Sequence, residues 1–320
     1  RGRIYRITYV GGKRNTPIIP AVNQDLADWV KALSSPSYHI RLDSQRAIQQ
    51  HGDDGWKRIA EAIRRGEISV VGRLHAIWVL VHLRQAAAID VLFQLAHSDN
   101  DPRVRAQAIR AIADLSDPIL SEHRIAARHG DVKIAERLVG LDVDSDPRIL
   151  LEVVIALGRL RWPGATVWLH QHITKNADET VMHAAMQTIR RSANWPDTFA
   201  ILDDPQAAVR PAARRAIAEQ TETAIVDNLL ERLQTKQPLQ RREYADLLSR
   251  VYMDREPWTY WGFRPPPRPA NTVKWERTEA IEHGLVGLLA DTDHDVRVHV
   301  LHRMLREEVP LPLTALAKWL

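Results

Sequence analysis

Fourteen histidines are the first place to look for chemistry in this 320-residue chain. His299 and His302 stand three apart, on one face of a helix, and two imidazoles at that spacing can share a metal ion. No further ligand accompanies them in sequence, so histidines of core or surface are the default reading. His170-Gln171-His172 has the wrong spacing, because residues two apart on a helix point to different faces. The paired acids Asp53-Asp54 and Asp203-Asp204 fall at turns, where helix capping accounts for them. There is no Gly-rich phosphate loop and no Gly-x-Ser-x-Gly elbow. With no cysteine, the chain has no thiol nucleophile, disulfide, thiolate metal site or c-type haem attachment. The residues predict no catalytic group, no metal and no cofactor in this segment.

What recurs instead is an arginine paired with an acid. The stretch Asp99-Asn100-Asp101-Pro102-Arg103-Val104-Arg105-Ala106-Gln107-Ala108-Ile109 reads as an acidic turn, a proline at the first helical position, and a helix. Aligned on its Val-Arg step, the arginine recurs at Arg41, Arg73, Arg105, Arg210, Arg241 and Arg297. Leu150 and Met182 fill the same slot in two further copies, and the steps are 32, 32, 45, 32, 28, 31 and 56 residues. Six residues earlier stand Glu67, Asp99, Asp144, Asp204 and Asp291, with Ser35, Asn176 and Thr235 in the other copies. The acid is expected to cap the second helix and meet its positive dipole end. The arginine is expected to brace neighbouring copies, with Asp99 the first candidate partner for Arg105; phosphate binding is the alternative. Ala108, Ala185 and Ala213, three residues after the slot, let helices approach closely.

A period near 32 fits a helix–turn–helix unit. Each unit has one apolar stripe that it cannot bury alone, so stability must come from stacking neighbours. The predicted fold is an all-α, right-handed α-α superhelix of about eight helix pairs over residues 17–320, preceded by a β-strand and linker at 1–16. Within it, Val70–Val81 reads as a heavily buried helix. The alternation in Ile4–Tyr9 is that of a half-buried strand with no partner strand in this sequence, so the chain reads as a segment of something longer. Its composition, 45% hydrophobic and 26% charged, is that of a folded soluble protein. No apolar run approaches the ~20 residues of a membrane helix, so no membrane insertion is expected.

Two long steps hold insertions, around Ser116–Val132 and Asp254–Trp275. The second contains Trp258, Tyr260, Trp261 and Phe263, then Arg264 and Arg268 among prolines, and closes at Trp275. Proline density excludes helix, and 264–269 suits polyproline II. The aromatics need a surface to lie on. The segment reads as a strap laid over its own repeats, or as a docking site for another domain or protein.

The turn acid and the Val-Arg-x-x-Ala core resemble the HEAT-repeat pattern, over roughly residues 20–320. HEAT-like hydroxylases hold di-iron with His-Glu pairs, and no histidine here is followed directly by Glu. Together with Gly2–Tyr9 and the Tyr260–Glu279 segment, the repeats resemble planctomycete-type multidomain bacterial proteins. In those, a sugar-dehydrogenase-like β-propeller precedes the HEAT array and a c-type cytochrome domain often follows. The resemblance implies an exported parent, with its chemistry outside this segment. The expected function is a non-catalytic interaction scaffold or rigid spacer with protein partners. The alternative is a nucleic-acid-binding module resembling DNA glycosylases, suggested by ten Trp and by 36 Arg (44 Lys+Arg less eight Lys). Against it stand a net charge of only 44 − 40 = +4 and the absence of any basic cluster free of acids.

Overall fold

The computed structural model describes residues 25–124, 127–257 and 271–316. The strand expected at Ile4–Tyr9, and Trp258, Tyr260, Trp261, Phe263, Arg264 and Arg268, lie outside the described residues. Two units divide the chain at Leu160. Each contains four helix pairs among its described residues, so the chain is an all-α stack of HEAT-like repeats.

In the first unit the pairs are α1 (Leu26–Ala32) with α2 (Tyr38–Gln50), and α3 (Gly52–Arg64) with α4 (Val70–Arg84). They continue as α5 (Ile89–Ser98) with α6 (Pro102–Ser116). The short helix α7 (Pro118–Glu122) occupies the first insertion, before α8 (Val132–Val139) pairs with α9 (Pro147–Arg159). The second helices form a continuous row, α2 on α4, α4 on α6 and α6 on α9. The alanines that follow the arginine slot make this approach possible: Ala76 and Ala108 are fully buried.

In the second unit α10 (Ala165–His172) pairs with α11 (Glu179–Ser192), and α12 (Trp195–Asp203) with α13 (Arg210–Ile217). Next come α14 (Thr223–Arg232) with α15 (Pro238–Ser249), and α16 (Thr278–Leu288) with α17 (His294–Arg306). A last short helix is α18 (Leu313–Leu316). Ala185 and Ala213 are again fully buried, between α11 and α13.

Three local expectations need correction. The turn acid does not cap the second helix. That cap lies two residues further on, at Ser69, Asp101, Asp146, Asp178 and Asp293, each of whose side chains accepts a backbone N–H of the first turn. Helix α4 buries Ala76, Ile77, Val79 and Leu80 but leaves Val71 exposed, so only its core-facing stripe is covered. Its apolar run continues into α5 far enough to match a membrane span by length and composition. The run is broken by a 3-10 turn, Gln85–Ala88, where Gln85 takes φ 45° and ψ −124° and sends the chain back as the next repeat.

The second insertion is closed at its base by strands β1 (Asp254–Arg255) and β2 (Thr272–Val273). They are antiparallel, with Asp254 opposite Val273 and Arg255 opposite Thr272.

Candidate functional site

Position sets the chemistry of the recurring arginine. One turn into the second helix, its guanidinium reaches back over the loop. Arg41, Arg241 and Arg297 donate Nη1 to the carbonyls of Ser35, Thr235 and Asp291, at 2.8, 2.7 and 2.7 Å. Arg73 donates Nη1 to Ile68 O at 3.2 Å. These carbonyls belong to the turn just before the second helix, so the slot arginine ties each helix to its own turn.

The other edge of the guanidinium can then face the next repeat. Arg73 donates Nε to Asp99 Oδ2 at 2.8 Å and Nη2 to Oδ1 at 3.0 Å. Arg241 makes the same fork with Asp291, at 2.7 and 2.9 Å. Each carboxylate also accepts a turn N–H, from Asp101 and Asp293 respectively, at 2.9 and 2.8 Å. Both pairs are screened from water: the four side chains keep 17%, 6%, 11% and 8% of their surface. Paired this way the charges satisfy one another; broken, either would be left buried and uncompensated.

Arg105 does not meet Asp99, which is already held by Arg73; it donates Nη2 to Ser145 Oγ at 3.0 Å. Asp144 turns back on its own loop, its N–H donating to Asp142. Glu67, one methylene longer than aspartate, is drawn to Arg58 at 2.7 Å instead of Arg41. In consequence the Nε atoms of Arg41 and Arg105 are buried without a hydrogen-bond partner, and Nε is the atom that reaches the acid in Arg73 and Arg241. Asp204 accepts from Gln206 N, while Arg210 donates to Leu202 O and pairs with Glu243 on α15. The ladder is therefore complete at two junctions and replaced at others.

Sequence reasoning missed the substitutes. Where Leu150 fills the slot, α6 and α9 are joined by Arg110 with Glu152, and by Arg159 with Asp114 and Asp117. In the second unit, buried Asp246 accepts three guanidiniums: Arg214 and Arg250 at 3.2 and 3.3 Å and Arg303 at 3.1 Å. Arg110 and Asp114, a helical turn apart, already mark this second row in the sequence.

The two complete forks underlie two open grooves. In the first unit a cavity of about 1030 Å³ runs between α3 and α5, with Arg73 and Asp99 in its floor and Trp56, Lys57, Glu61 and Arg64 along one wall. The second unit has its counterpart, about 990 Å³ between α14 and α16, over Arg241 and Asp291. The positions correspond repeat for repeat.

The histidines form no metal centre: among the described residues no three His, Asp or Glu side chains converge to hold an ion. His172 stacks on Trp168 with centroids 4.3 Å apart. His299 is partly buried, its Nε2 has no partner, and burial pushes its pKa down. Burial likewise lowers His75, whose Nδ1 lies 2.8 Å from Gln45 Oε1, with Arg41 nearby adding to the effect. Trp275, the one insertion aromatic among the described residues, is tied to the repeats. Its ring N–H donates to Val251 O at 2.9 Å and its backbone N–H to Thr278 Oγ1 at 3.0 Å.

Residues 57–123 match the family described as HEAT repeats. These residues run from within α3 into the first insertion and include the Arg73–Asp99 fork. No curated protein matches. Among solved structures, an engineered protein is 18% identical with a TM-score of 0.38, over 92% of this chain and 80% of that one. Human deoxyhypusine hydroxylase, solved in complex with glycerol, is 18% identical with a TM-score of 0.31, over 88% of this chain and 96% of its own. Likeness at that level says nothing of chemistry.

Proposed function

We propose that the chain is a non-catalytic scaffold or rigid spacer that binds protein, with neighbouring domains or subunits as its partners. On the sequence resemblance, its parent is a larger dehydrogenase- or cytochrome-type protein whose reaction takes place elsewhere. The observation that carries the scaffold reading is the pair of buried Arg–Asp forks, each fixing one repeat to the next by two charge-assisted hydrogen bonds on a carboxylate that also shapes the turn. Such braces hold a surface in one shape, which is what a docking platform requires, and they place no reactive atom before a substrate. The same pairing argues against the nucleic-acid reading, since Arg73, Arg110, Arg159, Arg210 and Arg241 all spend their charge on acids of the chain.

The experiment is cross-linking mass spectrometry on the native parent assembly, read together with the reading frame on both sides of residues 1 and 320. The expected result is cross-links from this segment to another domain or subunit. A segment that cross-links only to itself would end the scaffold reading. Retention on heparin with a steep salt slope would favour the nucleic-acid alternative.

A further inference from the structure

The two grooves share a plan and differ in charge. In the first, Lys57, Arg64, Arg65 and Arg73 face Glu61 and Asp99. Both acids already have a cation: Asp99 is held by Arg73 at 2.8 Å in the buried fork, and Glu61 by Arg65 at 2.5 Å in an exposed pair one helical turn apart. Lys57 and Arg64 remain, exposed and without an ion pair among the described residues, seven residues apart on the same face of α3. At ~1.5 Å per residue that separates their Cα atoms by about 10 Å. Trp56 stands at the same end as Lys57, held from behind by Arg84, whose guanidinium lies 5.4 Å from its ring and 3.0 Å from Asp53. The groove therefore offers an aromatic surface, then two unneutralised cations. In the second groove Arg241 is neutralised by Asp291, and Lys236 has Asp293 in the same lining to offset it.

We propose that the α3–α5 groove of the first unit docks a short, extended acidic peptide segment of a partner protein. This rests on the scaffold reading and gives it a site. About 10 Å accommodates three to four extended residues at ~3.3 Å each. Two carboxylates at the ends of such a segment reach Lys57 and Arg64, and the apolar side chain next to the carboxylate on Lys57 lies at the Trp56 end of the groove. A protein segment fits better than a polyanionic duplex or a membrane, because the groove is one helix-pair wide and has two free cations, too few for a phosphate backbone.

The test is fluorescence anisotropy of a fluorescein-labelled peptide, Gly-Ser-Glu-Leu-Asp-Glu-Gly-Ser, titrated with the full chain at low salt. The expected result is saturable binding, weakened about tenfold or more in Lys57→Gln/Arg64→Gln and unchanged in Lys236→Gln. Both Lys and Arg are exposed, and a thermal melt of each variant establishes that it folds. Absence of saturable binding overturns the proposal, as does equal loss in Lys236→Gln. So does competition by duplex DNA or phosphatidylserine vesicles that exceeds competition by the unlabelled peptide and depends on the same two residues. If the peptide fails while cross-links in the native assembly persist, the groove assignment falls and the scaffold reading stands.

Discussion

Arg73 and Asp99 meet through two parallel hydrogen bonds across 26 residues of sequence, and Asp99 takes a third from the N–H of Asp101. Replacing Arg73 by Met removes two of the three and leaves a carboxylate that keeps 6% of its surface without a counter-charge. The expected loss is about 2–4 kcal/mol of unfolding free energy, read by urea denaturation. Arg105→Met, which breaks one bond to Ser145, is expected to cost under about 1 kcal/mol. Arg73→Met/Asp99→Leu should recover much of the single-variant loss, since no uncompensated charge remains. Equal losses for Arg73 and Arg105 would contradict this account of the forks.

Gln85 carries backbone strain at a repeat boundary, with φ 45° and ψ −124° and an exposed side chain. Glycine takes such a conformation without a Cβ penalty. Gln85→Gly is expected to raise stability by roughly 0.5–1 kcal/mol, seen as a higher melting temperature. A fall in melting temperature would mean that the side chain contributes something the backbone does not reveal.

His75 and His299 both have folded-state pKa values below the ordinary value, chiefly because burial disfavours the imidazolium. The unfolded chain binds the proton more readily, so their contribution is present above about pH 6.5 and is lost as pH falls through the folded-state values. Stability should therefore decline between about pH 7 and 5, before ordinary carboxylates titrate. His75→Gln and His299→Gln should flatten that slope, measured as denaturation midpoints against pH. Asp101, lowered to about 2 mainly by its hydrogen bond from Arg103, adds a separate loss only at still lower pH.

Trp275→Phe removes the donor to Val251 O while keeping most of the ring. A cost of about 1 kcal/mol is expected, together with faster amide exchange near Tyr252 and Thr278, whose hydroxyl donates to Tyr252 O. Unchanged exchange there would show that Trp275 does not hold the base of the insertion.

The repeat register was legible in the sequence because Arg recurs at a fixed place near the start of α4, α6, α13, α15 and α17, with a small residue three further on in α4, α6 and α13. The capping column was misplaced: Ser69, Asp101, Asp146, Asp178 and Asp293 cap the second helices, two residues after the turn acid to which the role is assigned from sequence. Pairing was not legible. Whether an arginine meets the acid of its own turn or of the next depends on how far one repeat advances over another, which a linear spacing does not encode. Arg105 shows this, since the acid assigned to it was the one that Arg73 reaches. The grooves were hidden for a further reason. Lys57 and Arg64 look like ordinary solvated charges until Arg65 and Arg73 are seen to have taken the neighbouring acids.

The β1–β2 stem has a consequence for how this protein can change. Since Asp254 and Val273 are register partners, the two ends of the insertion stand side by side. With those ends fixed beside each other, α15 and α16 keep their places whatever the length of the insertion, and closing a larger loop costs only logarithmically more. The stem is therefore a socket: what is carried between 256 and 271 can be exchanged wholesale, as a cartridge, while the repeats that hold it keep their spacing.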